Sequence, residues 1–169
     1  EYKVKDDGIK FSYEGELKPI SIETDVHPGF MTDWQPPMTI LLTQANGIST
    51  LHESVYENRF GYVKELNKMG ASIELTNDCL GSPCRFNGSA YYHSAIIKGK
   101  TPLKPAEIIV PDIRAGFSYL VAAILAKGET QTVVSIVYNN VIRVKYIYTA
   151  TVIGLGDITV AEEERWFAR

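Results

Sequence analysis

Three short stretches of the chain combine carboxylates, arginines and amides in a way suited to an anionic substrate: Thr32-Asp33 with Gln35, Glu57-Asn58-Arg59, and Asp112 with Arg114. Each falls where a helical pattern begins. Free amides and the helix dipole favour anions at such a point, and an arginine adds a planar fork of donors for phosphate or carboxylate. If the three starts face one cleft, they make an anion site with an acid beside it. The competing structural reading makes Asp33 and Asp112 simple N-caps and leaves Arg59 and Arg114 solvated.

The remaining candidate chemistry is thiol chemistry. Cys79 and Cys84 lie in "NDCLGSPCRF", a polar connection rich in Gly and Pro. Their spacing allows a small disulfide, a pair of loop thiols, or half of a metal site. A zinc site needs about four ligands, and His93 is the one further ligand nearby, so no metal is expected.

These residues must be held by a fold, and the bulk numbers allow one. The 169 residues are 45% hydrophobic and 22% charged, enough for a core, and the formal charge is -3. No Lys/Arg block offers a footprint for nucleic acid or an anionic membrane. The apolar stretches are too short to cross a bilayer and the N-terminus lacks a signal-peptide layout, so the expected setting is cytoplasmic. The chain starts at Glu1 rather than Met, which suggests a piece of something longer.

Three segments carry helical period. Met38, Leu41, Leu42 and Ala45 form one stripe, with Thr32 or Asp33 as its cap and Asn46-Gly47 as its stop. Tyr62, Val63, Leu66 and Met69 form a second, closed by Gly70. Phe117, Leu120, Val121 and Ile124 form a third, running from Asp112 to Gly128. Between them "KPISIET", "GISTLHES", "ASIELT", "YYHSAIIKG", "AEIIVP" and "TQTVVSIVYN" read as strands, because Ile, Val, Thr and Tyr dominate them and Gly, Pro or Asn bound them. The alternation predicts an α/β architecture with crossover units. "MGASIEL" and "GLGDITV" suggest a weak internal repeat. "VIRVKYIYTATVI" reads as strand, since β-branched residues lose rotamer freedom in a helix.

"PGFMTDWQ", "ESVYENRFGYVKELNKMGASIEL" and "VPDIRAGFSYLVAAILAKGET", in that order, resemble the later half of the UDP-N-acetylglucosamine 1-carboxyvinyltransferase family of enolpyruvyl transferases. The resemblance covers residues 26–130 closely and runs more loosely to residue 160. It implies an inside-out α/β barrel-type lobe of repeated βαβαββ units, incomplete at about two of three. The whole chain, 1–169, would be one partial lobe, with units near 18–98 and 99–160 and a tail at 161–169. The implied activity moves the enolpyruvyl group of phosphoenolpyruvate to the 3-hydroxyl of UDP-N-acetylglucosamine, releasing phosphate for peptidoglycan precursor synthesis. Asp33 would be the base, Val55, Arg59, Asp112, Arg114 and Arg143 would bind substrate, and no metal or organic cofactor would be required.

Departures from the pattern accompany the matches. After Arg143 the family has Gly-Tyr-Glu and an amphipathic helix where this chain reads "VKYIYTATVI", and "AEEERWFAR" has no counterpart. The family's first lobe, with its reactive loop residue, Lys-Asn pair and further arginines, is not in this sequence, so the chain alone is expected to be inactive and to need that lobe in cis or in trans. Two other readings remain: the shikimate-pathway enolpyruvyl transferase, and a non-catalytic binding module that keeps the fold.

Overall fold

The computed structural model describes the backbone of residues 2–12, 15–81, 84–110, 113–126, 129–138, 142–153 and 157–168, and side chains within 2–12, 15–81, 84–110 and 115–126. A two-stranded antiparallel ribbon, β1 (Tyr2–Lys5) and β2 (Gly8–Phe11), opens the chain. None of the strand-like runs of the sequence falls there. Its strands lie exposed on both faces, so no apolar alternation marks them.

The first sheet takes its strands in the order β3 (Ser21–Glu23), β4 (Ile48–His52), β6 (Ser94–Lys98), β5 (Ser72–Thr76). β3 and β4 are parallel and joined through α1 (Gln35–Thr43). β4 leads through α2 (Val63–Lys68) to β5, and β6 runs antiparallel between β4 and β5. The strand positions match those expected from β-branched content. The core of this unit is made by Ile40, Leu51, Leu66, Met69, Ala95 and Ile97, each at most 1% exposed. At the end of α2, Gly70 adopts φ +92°, which a β-carbon would strain, so the glycine stop expected there is a conformational requirement.

The second sheet has the order β10 (Asp157–Ala168), β9 (Ile142–Ile153), β8 (Glu129–Tyr138), β7 (Glu107–Ile109). β7 and β8 are parallel across α3 (Ile113–Leu125), and β8, β9 and β10 form an antiparallel meander. "VIRVKYIYTATVI" is therefore strand, as its β-branched content predicts. The GLG turn of the suspected repeat lies outside the described residues.

Two of the predicted helical stripes are corrected. On α1, Leu41 is exposed and Met38 only half-buried, while Pro36, Thr39, Ile40, Leu42 and Thr43 are buried. On α3, Phe117 is 71% and Ile124 40% exposed, and the buried face is Ala115, Ser118, Tyr119, Ala122, Ala123 and Ala126. Small side chains let a helix approach its neighbours closely, so the alanine face packs and the bulkier apolar face is left outward. Among the described residues no helix is long and apolar enough to cross a membrane.

Candidate functional site

The parallel strands β3 and β4 end at Glu23 and His52, and the next residue of each, Thr24 and Glu53, carries the polar chemistry. The carboxyl ends of parallel strands are where α/β sheets build their sites, since the loops that lead into the helices converge there. Glu53 is fully buried and accepts from five donors. Its Oε1 takes the Thr24 hydroxyl at 2.9 Å and the backbone amides of Val55 and Tyr56 at 2.8 Å each. Its Oε2 takes the Thr32 hydroxyl at 2.9 Å and the Gln35 amide nitrogen at 2.6 Å. A carboxylate can occupy such a place because every neighbour is a donor.

This nest determines the conformation of the "TDWQ" turn. Thr32 and Gln35 both point inward to Glu53, leaving Asp33 between them aimed outward. Thr32, Asp33 and Trp34 form a 3-10 turn whose flanking position is Met31, and neither that turn nor α1 has a side-chain cap. The expectation that Thr32 or Asp33 caps the helix is thus corrected: a buried acceptor outcompetes the local amides for the Thr32 hydroxyl. The Gln35 oxygen accepts from the Tyr62 hydroxyl at 3.1 Å, and Tyr62 and Thr39 share a bond of 2.8 Å. Burial pushes the Tyr62 hydroxyl's pKa well above its usual range, so it stays a neutral donor.

Asp33 and Arg59 are brought together. The Arg59 Nη2 donates to Asp33 Oδ1 at 3.1 Å, with the arginine side chain 3% and the aspartate 62% exposed. Arg59 opens a second 3-10 turn, Arg59–Tyr62, after Asn58 in the left-handed conformation (φ 52°). Its guanidinium also lies 5.9 Å from the centre of the Tyr56 ring. The solvated-arginine reading fails for Arg59. The geometry presents a carboxylate to solvent while holding it from behind with a buried cation.

Val55 follows β4 in the loop and is half-buried. Its amide binds Glu53 and its carbonyl accepts from Arg85 Nη1 at 2.9 Å. Asp112 lies outside the described residues, as do the side chains of Arg114 and Arg143; the backbone puts Arg114 in the first turn of α3 and Arg143 in β9. A hollow of about 520 Å³ between α1 and α3 is lined by residues such as Pro37, Ile40, Leu41 and Val121, and among the described residues Asp33, Val55 and Arg59 are not part of its lining.

Sequence reasoning missed Glu53. The available signal was a carboxylate directly after a strand that precedes a helix start. Of the alternatives for the cysteines, the structure shows a Cys79–Cys84 disulfide.

The family profile described as EPSP synthase (3-phosphoshikimate 1-carboxyvinyltransferase) matches residues 3–144. The chain is 54% identical over 134 residues to UDP-N-acetylglucosamine 1-carboxyvinyltransferase of Protochlamydia amoebophila, covering 78% of this chain and 29% of the relative. It is 52% identical to the protein of that name from Chlamydia abortus, over 75% of this chain and 29% of the relative. Among solved structures, the enolpyruvyl transferase NikO from Streptomyces tendae superposes with TM-score 0.58 at 22% identity, over 72% of this chain and 25% of that one, which supports the fold alone. The chain thus spans under a third of the length of these relatives. With most of its length matched by one profile and its α/β fold shared with a solved enolpyruvyl transferase, the chain belongs to the EPSP synthase family.

Proposed function

We infer that the chain is the part of an enolpyruvyl transferase that carries the acceptor-activating wall. The parent would transfer the enolpyruvyl group of phosphoenolpyruvate to the 3-hydroxyl of UDP-N-acetylglucosamine and release phosphate, serving peptidoglycan precursor synthesis, and so cell wall, shape and division, in the cytoplasm. Asp33 takes the hydroxyl proton as the oxygen attacks C2 of phosphoenolpyruvate and C3 gains a proton; the tetrahedral intermediate then loses phosphate from C2 and a proton from C3, which restores the double bond. The first step needs a carboxylate within hydrogen-bond reach and open to substrate. Arg59 orients Asp33 from behind. Arg59, Arg114 and Arg143, with Asp112 alongside, balance charge on the phosphate and carboxylate. Val55 contacts the uridine-sugar partner from the loop fixed by Glu53.

The observation that supports this reading most is the exposed Asp33 clasped by buried Arg59 at the strand ends, in a chain 54% identical to a protein with that activity in its name. Closure over the substrates requires a second wall, so the first lobe, in cis or in trans, completes the site. The test is phosphate release by the intact parent given phosphoenolpyruvate and UDP-N-acetylglucosamine, with Asp33→Asn beside it. Full turnover by that variant would end the base assignment. The second reading, a shikimate-pathway transferase, takes support from the name of the matching profile. Turnover with shikimate 3-phosphate in place of the nucleotide sugar would favour it, and no turnover with either acceptor would favour the non-catalytic module.

A further inference from the structure

At the ends of β3 and β4, the loop holding Cys79 and Cys84 lies over a buried imidazole, with Gly81 against Glu23 and His52. His93 is 1% exposed, and its Nε2 lies 3.6 Å from the Cys79 sulfur and 3.5 Å from the Cys84 sulfur. Its other nitrogen, Nδ1, faces the Tyr91 carbonyl at 3.2 Å. A carbonyl can only accept, so Nδ1 carries the proton and Nε2 turns a lone pair toward both sulfurs. Metal-binding histidines are commonly oriented by this same bond to a backbone carbonyl.

The distances carry the argument further. With zinc–sulfur bonds of about 2.3 Å and zinc–nitrogen bonds of about 2.0 Å, the nitrogen-to-sulfur edges of a tetrahedron are about 3.5 Å. Both edges are already present, and only the two sulfurs must separate, to about 3.8 Å, once their bond is broken.

The loop is held for this. Ser94 Oγ donates to the Asp78 carbonyl at 2.7 Å, and Arg85, next to Cys84, is tied to the Val55 carbonyl at 2.9 Å. Gly81 lies so close to His52 and Glu23 that a β-carbon there would collide with both side chains, which keeps the loop seated on the sheet. The neighbouring His52 ring stacks edge-on against His93 at 5.5 Å, and among the described residues its buried Nε2 has no hydrogen-bond partner.

We propose that Cys79, Cys84 and His93 form a thiol-gated binding site for a borderline-soft divalent ion of the zinc class, with the disulfide as its closed, metal-free form. Opening requires a dithiol reductant. Two electrons and two protons pass to the cystine, its sulfur–sulfur bond breaks, and the reductant closes to its own disulfide. The ion then displaces one proton from each thiol and bonds two thiolates and the imidazole. The fourth position is left to water, and soft sulfur ligands select zinc-like ions over magnesium or calcium. The site is separate from the enolpyruvyl chemistry and does not depend on it.

The test is an anaerobic titration of the reduced chain, freed of reductant, with Co²⁺ followed by Zn²⁺. The expected result is thiolate-to-cobalt charge-transfer absorption that saturates at one equivalent, is abolished by zinc, and is missing from the oxidised chain. Cys79→Ser and Cys84→Ser should each weaken binding by at least about tenfold. X-ray absorption of the zinc-loaded native chain should give two sulfurs and one imidazole nitrogen, which tests His93 without a substitution that could unfold it. Absence of the charge-transfer band, saturation unchanged in either serine variant, or a shell without sulfur would each overturn the proposal.

Discussion

Two carboxylates on either side of one turn live in opposite circumstances. Glu53 is wholly enclosed, with five donors spending both of its oxygens on the protein's own backbone and side chains. Asp33 is 62% exposed and is gripped through one oxygen by one guanidinium. An acid whose acceptor capacity is used up inside the protein shapes the site, whereas an acid with lone pairs facing outward can act on something that arrives. The contrast separates scaffold from chemistry without reference to any relative.

The contrast can be broken by substitution, and the largest effect is expected at the enclosed acid. Glu53→Ala strips acceptors from two amides, two hydroxyls and the Gln35 side chain, each buried donor left unpaired costing about 1–3 kcal/mol. Urea denaturation of the chain should show a loss of at least about 3 kcal/mol, and a loss below about 1 kcal/mol would remove Glu53 as the organiser. Asp33→Asn should do the reverse. Turnover of the intact parent should fall by about 10²–10⁴-fold, the usual worth of a positioned general base, while stability stays within about 0.5 kcal/mol of native, as for other exposed substitutions.

Arg59→Met sharpens the link between the two. It keeps the buried aliphatic volume but releases Asp33, so turnover should drop by at least about tenfold, the scale of a lost orienting partner, with KM and kcat both affected. An unchanged rate would show that Asp33 needs no support from behind. Tyr62→Phe is the mildest: removing a hydroxyl that bridges Thr39 and Gln35 should cost about 1 kcal/mol by thermal denaturation. If Tyr62→Phe cost more than Glu53→Ala, the network would centre on the tyrosine.

The difference between the acids also explains what could be read from sequence. Asp33 and Arg59 were legible because each stands in a short motif at a visible helix start. Glu53 was hidden because two of its partners, Thr24 and Thr32, are 29 and 21 residues away, and no local period records such a bond. The same limit produced the wrong cap: Thr32 before a helix is a good local capping signal, and a distant acceptor overrode it. The strands rich in Ile, Val and Thr were legible because those residues act through local sterics, whereas the exposed β1–β2 ribbon and the charged β10 gave no such signal. The face of α3 was misread because bulk was taken for burial. Phe117 and Ile124 are the larger apolar groups, yet the alanines with Ser118 and Tyr119 are what the sheet and α1 accept.

One contact between the two sheets reaches beyond the site. β7 is one of the two edge strands of its sheet, and the amide of Ile109 on it donates at 3.0 Å to Glu65 of α2, whose same oxygen also holds Lys68 at 2.9 Å. An uncovered strand edge is a template on which further chains can add. Glu65 occupies that amide with a charged helix residue, so one donor of this edge is withheld from any strand that would add to it.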